Sequence, residues 1–187
     1  SDDAISPLSA RLKATHGLVV HTSGSIPMSA LHCKAPLGVL YPVQTFSKQK
    51  TVNFSEVPLC LETERSGDME LLKRFALSLS SKVYELSSEQ REKLHLAAVF
   101  ANNFSNYMFK IADDICCNYN IPFEILKPLI QETSHKIIGM SPYDAQTGPA
   151  RRNDRKVILK QRDLLEAGNK EIYTLLSEAI RNTYKKL

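Results

Sequence analysis

No glycine-rich phosphate loop follows a strand anywhere in these 187 residues, and such a loop is what a dinucleotide-binding domain needs first. No stretch combines a basic region, an apolar core and a small-residue cleavage site, which argues against a secretory signal. The best uncharged run, residues 94–109, is too short to span a bilayer and contains Asn102, Asn103 and Asn106. These absences read as a soluble, cytoplasmic protein. Cys33, Cys60, Cys116 and Cys117 lack CxxC or Cys/His spacing, and the adjacent pair is poorly placed to bridge itself, so all four are expected as reduced, mostly buried thiols. His16, His21, His32, His95 and His135 have no partner at i, i+4 to put two ligands on one helical face, so no protein-bound metal is expected. Tryptophan is absent altogether.

What is present is an ordinary globular composition. With 43% hydrophobic and 24% charged residues the chain can bury one core or two small ones, and disorder is excluded. The opening SDDAI reads as a helix start with acidic residues in its first turn, as if the sequence began between two elements. The net charge of +4 is concentrated, because Arg151, Arg152, Arg155, Lys156, Lys160 and Arg162 crowd together. A solvated helix face explains that run, and a phosphate or nucleic-acid contact is the sharper alternative. No aromatic residue interleaves with the run to stack a base, which keeps nucleic acid a minor hypothesis.

The first part of the chain has α/β grammar: a helix over residues 3–13, short apolar strands at 18–21 and 39–41, a further strand at 58–61, a helix at 68–79 and a closing strand at 83–84. From Ser87 onward no strand is evident. Ser87 and Gln90 form a capping box that starts a long helix to about residue 118. A further helix follows Pro122 and ends at Gly139, and Asn153 and Asn169 are expected as N-caps of the last two helices. The boundary therefore falls near residue 86, with an α/β part over 1–86 and an all-helical part over 87–187. So few strands cannot cover and pair a parallel sheet by themselves. Either a first mononucleotide-binding half of roughly 80 residues completes the sheet, or another chain supplies the pairing.

At 100° per residue, Leu94, Ala97, Ala98, Ala101, Phe104, Met108, Ile111, Ala112 and Ile115 share one stripe of the long helix and predict a core face. His95, Asn102, Asn106 and Asp113 lie nearly opposite. Between Lys93 and Lys110 the only side chain that can carry a charge near neutral pH is His95, so both faces are expected to be covered, with the polar one lining a cleft or an interface. His95 is either a hydrogen-bonded structural histidine or a proton donor or acceptor, and Asn102 and Asn103 either orient a carbonyl or satisfy backbone groups. The first strand runs directly into HTSGS at residues 21–25, at the strand's carboxyl end, where ligands bind in open α/β sheets. His21, Ser23, Gly24 and Ser25 could serve a ligand there, or form an ordinary polar turn.

Taken with LHLAAVFANNF at residues 94–104 and TGPARRND at 147–154, these features resemble a family of Rossmann-like NADP-dependent oxidoreductases whose C-terminal half is known as domain of unknown function 2520. The chain is similar in outline to deazaflavin-dependent NADP reductases and pyrroline-carboxylate reductases. The likeness includes the Asp-Asp-Ala-Ile start, PVQTF at 42–46, and Pro128-Leu129-Ile130. It implies the C-terminal part of a Rossmann-like sheet, a helical domain that forms a homodimer, and NADP (or NAD) held with the help of a segment that this sequence lacks. The substrate, a small molecule, is not implied. Matched residue by residue, the cleft candidates are His21, Ser23, Gly24, Gln44, Asn102, Thr147, Gly148, Arg152 and Asp154, with His95 and Asn103 as the catalytic pair. Arg152 would pair with an acidic substrate group or with Asp154. The chain departs from the family pattern at Tyr41 (histidine before the proline), Leu94 (an aromatic), Gln146 (an apolar residue) and Asn153 (glycine). A non-catalytic dimerisation or binding module with the same fold is the competing reading.

Overall fold

Strands buried on both faces read as continuous apolar runs rather than as alternation, and the central pair here follows that rule. A computed structural model describes residues 1–13, 16–49 and 51–185. Its first elements are α1 (Asp2–Arg11), β1 (Val19–His21), β2 (Leu37–Pro42), β3 (Leu59–Thr63), α2 (Ser66–Leu79) and β4 (Val83–Glu85). The four strands form one sheet in the order β1-β2-β3-β4. β1 runs parallel to β2, and β3 runs parallel to β4, but β2 and β3 are antiparallel, so the sheet is mixed. The fold is α/β with a large helical complement.

Successive side chains of β2 and β3 point to opposite faces. On one face Leu40, Leu59 and Leu61 pack with Val57 and with Leu72 and Ala76 of α2. Helical spacing from Leu72 to Ala76 places both on the same side of α2, which is why that helix lies on the sheet. On the other face Val39, Tyr41 and Cys60 gather Met28, Leu86 and Leu94. Leu94 belongs to α3 (Ser88–Ala98), so the first turns of the long helix cover the second face.

Ser87 caps α3 as its sequence predicts: its side chain accepts from the N–H of Gln90, and the Gln90 side chain accepts from the N–H of Ser87. The helix then departs from regularity. A π-helical stretch, Val99–Phe104, precedes α4 (Ser105–Asn118). A wider i to i+5 turn breaks the 100° step on which the expected core stripe was built. Leu94 is packed, whereas Ala97, Ala101 and Phe104 are exposed, so the stripe does not run on as one buried face.

The chain forms two compact units, Ser1–Asn106 and Tyr107–Leu187. The strands end with β4, and the early part of the long helix belongs with them. The second unit continues from α4 through α5 (Lys127–Gly139), the short α6 (Pro142–Ala145), α7 (Arg155–Asp163) and α8 (Ala167–Thr183). The N-caps differ from expectation at two points. Asp154, not Asn153, caps α7 by accepting from the N–H of Val157, while Asn153 sits at φ 56° in the left-handed region that asparagine tolerates. Glu166, not Asn169, is the N-cap position of α8. Cys60 and Cys116 are buried, but Cys33 is half-buried and Cys117 exposed; all four are free thiols. No described helix is long and apolar enough to cross a membrane.

Candidate functional site

Because β1 and β2 are parallel, the loops that leave them emerge at the same edge of the sheet. β1 ends in His21 and runs into the rest of HTSGS, Thr22 to Ser25; the loop after β2 carries Val43, Gln44 and Thr45. Gln44 and Thr45 join His95, Asn102 and Asn103 around a cavity of about 360 Å³ that Tyr41 also lines. The long helix contributes His95 from its regular part and both asparagines from the π stretch. A π turn inserted at such a point displaces the following side chains around the helix axis, a device found often at functional sites.

His95 is the half-buried centre of this group. Its Nδ1 lies 3.3 Å from the Tyr41 hydroxyl, and the two rings meet edge to face with centroids 6.1 Å apart. Burial pushes the Tyr41 phenol above its ordinary pKa, with a smaller contribution from the neighbouring Cys60. Burial likewise raises the Cys60 thiol. Neither group is a ready nucleophile or base. Gly24 explains itself here: a Cβ at this position would stand 2.6 Å from His95 Nδ1 and 2.7 Å from Tyr41 Cζ. The HTSGS loop is therefore seated directly on the Tyr41 and His95 pair, an approach that only a residue without a side chain permits.

The rest of that loop is closed on itself. The N–H of Ser23 donates to Nδ1 of His21 at 3.2 Å, and the Ser23 hydroxyl accepts from the N–H groups of Ser25 and Ile26 at 3.2 and 3.1 Å. The Ser25 hydroxyl donates to Asp2 of α1 at 2.7 Å, and the Ser25 and Ser23 hydroxyls together hold the Asp2 carboxyl below its ordinary pKa. His21 is only 6% exposed. With Nδ1 acting as acceptor, the neutral ring carries its proton on Nε2, which is buried without a hydrogen-bond partner among the described residues. Burial, then the positive charge of Arg91, lowers the His21 pKa. His21, Thr22 and Ser23 border a different cleft, of about 420 Å³, against α1.

Arg91, which the sequence pattern did not single out, holds this arrangement. It is 1% exposed, forms an ion pair with Glu62 of β3, and donates to the carbonyl oxygens of Ser23 at 3.2 Å and Ile26 at 2.5 Å. Ser88 braces the pair by donating to Glu62 at 2.8 Å and accepting from the N–H of Met28 at 3.2 Å. A guanidinium fork can satisfy a carboxylate and two carbonyls at once, which an ammonium cannot do with the same geometry. The available signal was a glutamate ending the apolar run LCLE and a lone arginine preceding a helix segment almost free of charge.

Thr147, Gly148, Arg152 and Asp154 lie in the second unit. Gly148 sits at φ 102°, where other residues are strained. Asp154 caps α7, and Arg152 is exposed with no hydrogen bond to it among the described residues. Arg151 is the engaged arginine of the motif: it donates to the Gln146 carbonyl at 2.6 Å and stands 4.8 Å over the Tyr184 ring. No cluster of three or more potential metal ligands occurs among the described residues.

Comparison with solved structures finds a putative NADP oxidoreductase, BF3122 from Bacteroides fragilis, 42% identical with a TM-score of 0.91, covering 97% of this chain and 73% of that one. Protein TM1727 from Thermotoga maritima shares the fold, with a TM-score of 0.81 at 22% identity over 99% of this chain and 76% of that one. No curated protein matches. The model of the domain of unknown function DUF2520 matches residues 57–180, from β3 to α8. With β3, β4, the π-interrupted helix and the helices from α2 to α7 all within that match, the chain belongs to the DUF2520 family.

Proposed function

We propose that this chain forms the substrate-facing part of an NADP-dependent oxidoreductase, in which hydride passes to or from a small molecule bound beside His95. The observation that carries this reading is the cavity at the carboxyl end of β2, where one imidazole and three carboxamides, Gln44, Asn102 and Asn103, converge. Likeness to BF3122 supports the reaction class. When bound, NADP supplies the hydride chemistry, and the protein supplies orientation and electrostatics. The cavity residues fit the reactive end of such a cofactor. The phosphates find no cradle here, since the amides of Ser23, Ser25 and Ile26 are turned onto His21 and Ser23. In this reading a glycine-rich loop outside these 187 residues holds them. His95 acts as proton donor or acceptor, and Asn103, with Asn102 and Gln44, orients the substrate.

Kinship with deazaflavin-dependent NADP reductases and pyrroline-carboxylate reductases is part of the same proposal, as are a cytoplasmic location and a homodimer formed through the helices. The helical unit supports the dimer by leaving Ile138 80% and Leu175 69% exposed. Sedimentation equilibrium of the full gene product tests it: a monomer at all concentrations overturns the dimer. A non-catalytic binding module is favoured by one observation, the internal engagement of the Ser23 and Ser25 hydroxyls. Titration of the full gene product with NADPH, followed by fluorescence, separates the two. Saturable binding, with His95→Ala lowering turnover about 10²–10⁴-fold at unchanged NADPH affinity, is the expected result. Absence of binding overturns the oxidoreductase reading.

A further inference from the structure

The Tyr41 hydroxyl has one protein partner among the described residues, Nδ1 of His95 at 3.3 Å. Two arrangements of protons fit that distance. Either Tyr41 donates to Nδ1, or a protonated Nδ1 donates to the phenol oxygen. In the second arrangement the phenol proton has no protein acceptor although Tyr41 is buried, and an orphaned buried donor carries the full desolvation penalty. In the first, the donor is satisfied and only a lone pair of the phenol is left over. Burial also holds the phenol in its protonated form, so it remains a donor across the working pH range. Gly24 closes the same side of the ring: the position of its absent Cβ lies 2.6 Å from Nδ1 and 3.0 Å from Cγ, which leaves Nδ1 little room for another partner.

We propose that Tyr41 is a positioning residue that fixes the tautomer of His95, so that the neutral imidazole keeps its proton on Nε2 and offers a ligand a hydrogen-bond donor. The choice of tautomer decides the ligand's chemistry. An Nε2–H donor beside Gln44, Asn102 and Asn103 selects a group with an acceptor oxygen, the carbonyl or carboxylate class, and polarises a carbonyl without any proton having to leave the ring. The proposal deepens the oxidoreductase reading, and rests on that reading only for the statement that the ligand is a substrate. Tyr41 touches His95 rather than the ligand's reacting atoms in this scheme.

The test reads the ring itself. Two-bond proton–nitrogen correlation spectra of the ¹⁵N-labelled full gene product, recorded without nucleotide above the titration range of histidine, report which nitrogen of His95 carries the proton. The wild-type protein is expected to show Nε2–H, with Nδ1 at the resonance of a hydrogen-bonded acceptor. In Tyr41→Phe, which keeps the ring packed against Gly24, the two nitrogen resonances are expected to converge as the tautomers mix. A wild-type His95 with its proton on Nδ1, or a Tyr41→Phe spectrum identical to wild type, overturns the proposal. If Tyr41→Phe does not fold, the wild-type tautomer alone decides. Since no cofactor is present in the tube, failure to bind NADPH leaves this result standing, and the reverse also holds.

Discussion

The two units of this molecule bury their apolar residues very differently. In the unit of residues 1–106 the sheet is filled on both faces, and Leu59, Leu61 and Ala76 are fully inaccessible. In the unit of residues 107–187 the buried apolar side chains are Cys116 and Ala150, while Leu164, Ile125 and Leu129 stand largely exposed among the described residues. Both units are rich in apolar residues, so hydrophobicity by itself does not explain the contrast. Strands can be covered from two sides within a short length of chain, whereas an amphipathic helix needs a partner surface as long as itself. The sheet unit therefore carries its core within its own strands and helices, whereas the helical unit leaves apolar side chains such as Ile125, Leu129 and Leu164 exposed, the feature on which the proposed dimer rests.

The sharpest way to break that comparison is to cut the buried ion pair of the sheet unit. Arg91→Met leaves Glu62 uncompensated and is expected to cost about 3–5 kcal/mol in urea unfolding of the full gene product, with Arg91→Lys failing to restore it. An apolar substitution gives the same contrast on neutral ground. Leu59→Ala should lose about 2–5 kcal/mol, whereas Ile138→Ala should change the unfolding of the monomer by less than about 0.5 kcal/mol and instead weaken the proposed self-association in sedimentation equilibrium. Equal losses at the two positions would remove the distinction between the units.

Gly24→Ala is expected to be intermediate, because its Cβ collides with His95 and Tyr41, both ring side chains packed in place. Overpacking of this kind costs about 1–3 kcal/mol, and the same variant should shift the His95 ring resonances, which a distant loop change would not do. Acid offers a milder probe of the sheet unit. His21 has a folded pKa depressed from an unfolded value of 6.5, so the neutral ring contributes stability that is fully present above pH 6.5 and is lost as the pH falls through the lower folded pKa. Thermal unfolding followed downward from neutral pH should show this loss, and His21→Gln should flatten it. The smallest effect belongs to Arg152→Gln, an exposed site, expected within about 0.5 kcal/mol of wild type.

Much of the local structure was legible. The capping box of Ser87 and Gln90, the apolar run that became β3 and the apolar spacing of α2 each depend on neighbours within a few residues, and each appears where the pattern put it. The site was legible only in part. His95, Asn102, Asn103 and Gln44 share one cavity, but the sequence offered no reason for Gly24 beyond backbone freedom, and the structure supplies a contact instead. The helical stripe held only in part: Ala97, Ala101 and Phe104 are exposed, whereas Met108, Ile111, Ala112 and Ile115 beyond the π stretch are half-buried, and no residue type marks such a stretch.

By itself the sequence determined the order of the strands and longer helices, the change from strands to helices and, through its motifs, the family. Tertiary structure alone decided that β2 and β3 run antiparallel, that Arg91 reaches Glu62 29 residues away and the Ser23 carbonyl 68 away, and that Tyr41 meets His95 across 54 residues. The reason is range. Periodicity, capping and turn chemistry act over a few residues and leave a repeating trace in the chain, whereas a single contact between distant segments leaves none and comes into being only when packing brings both ends together.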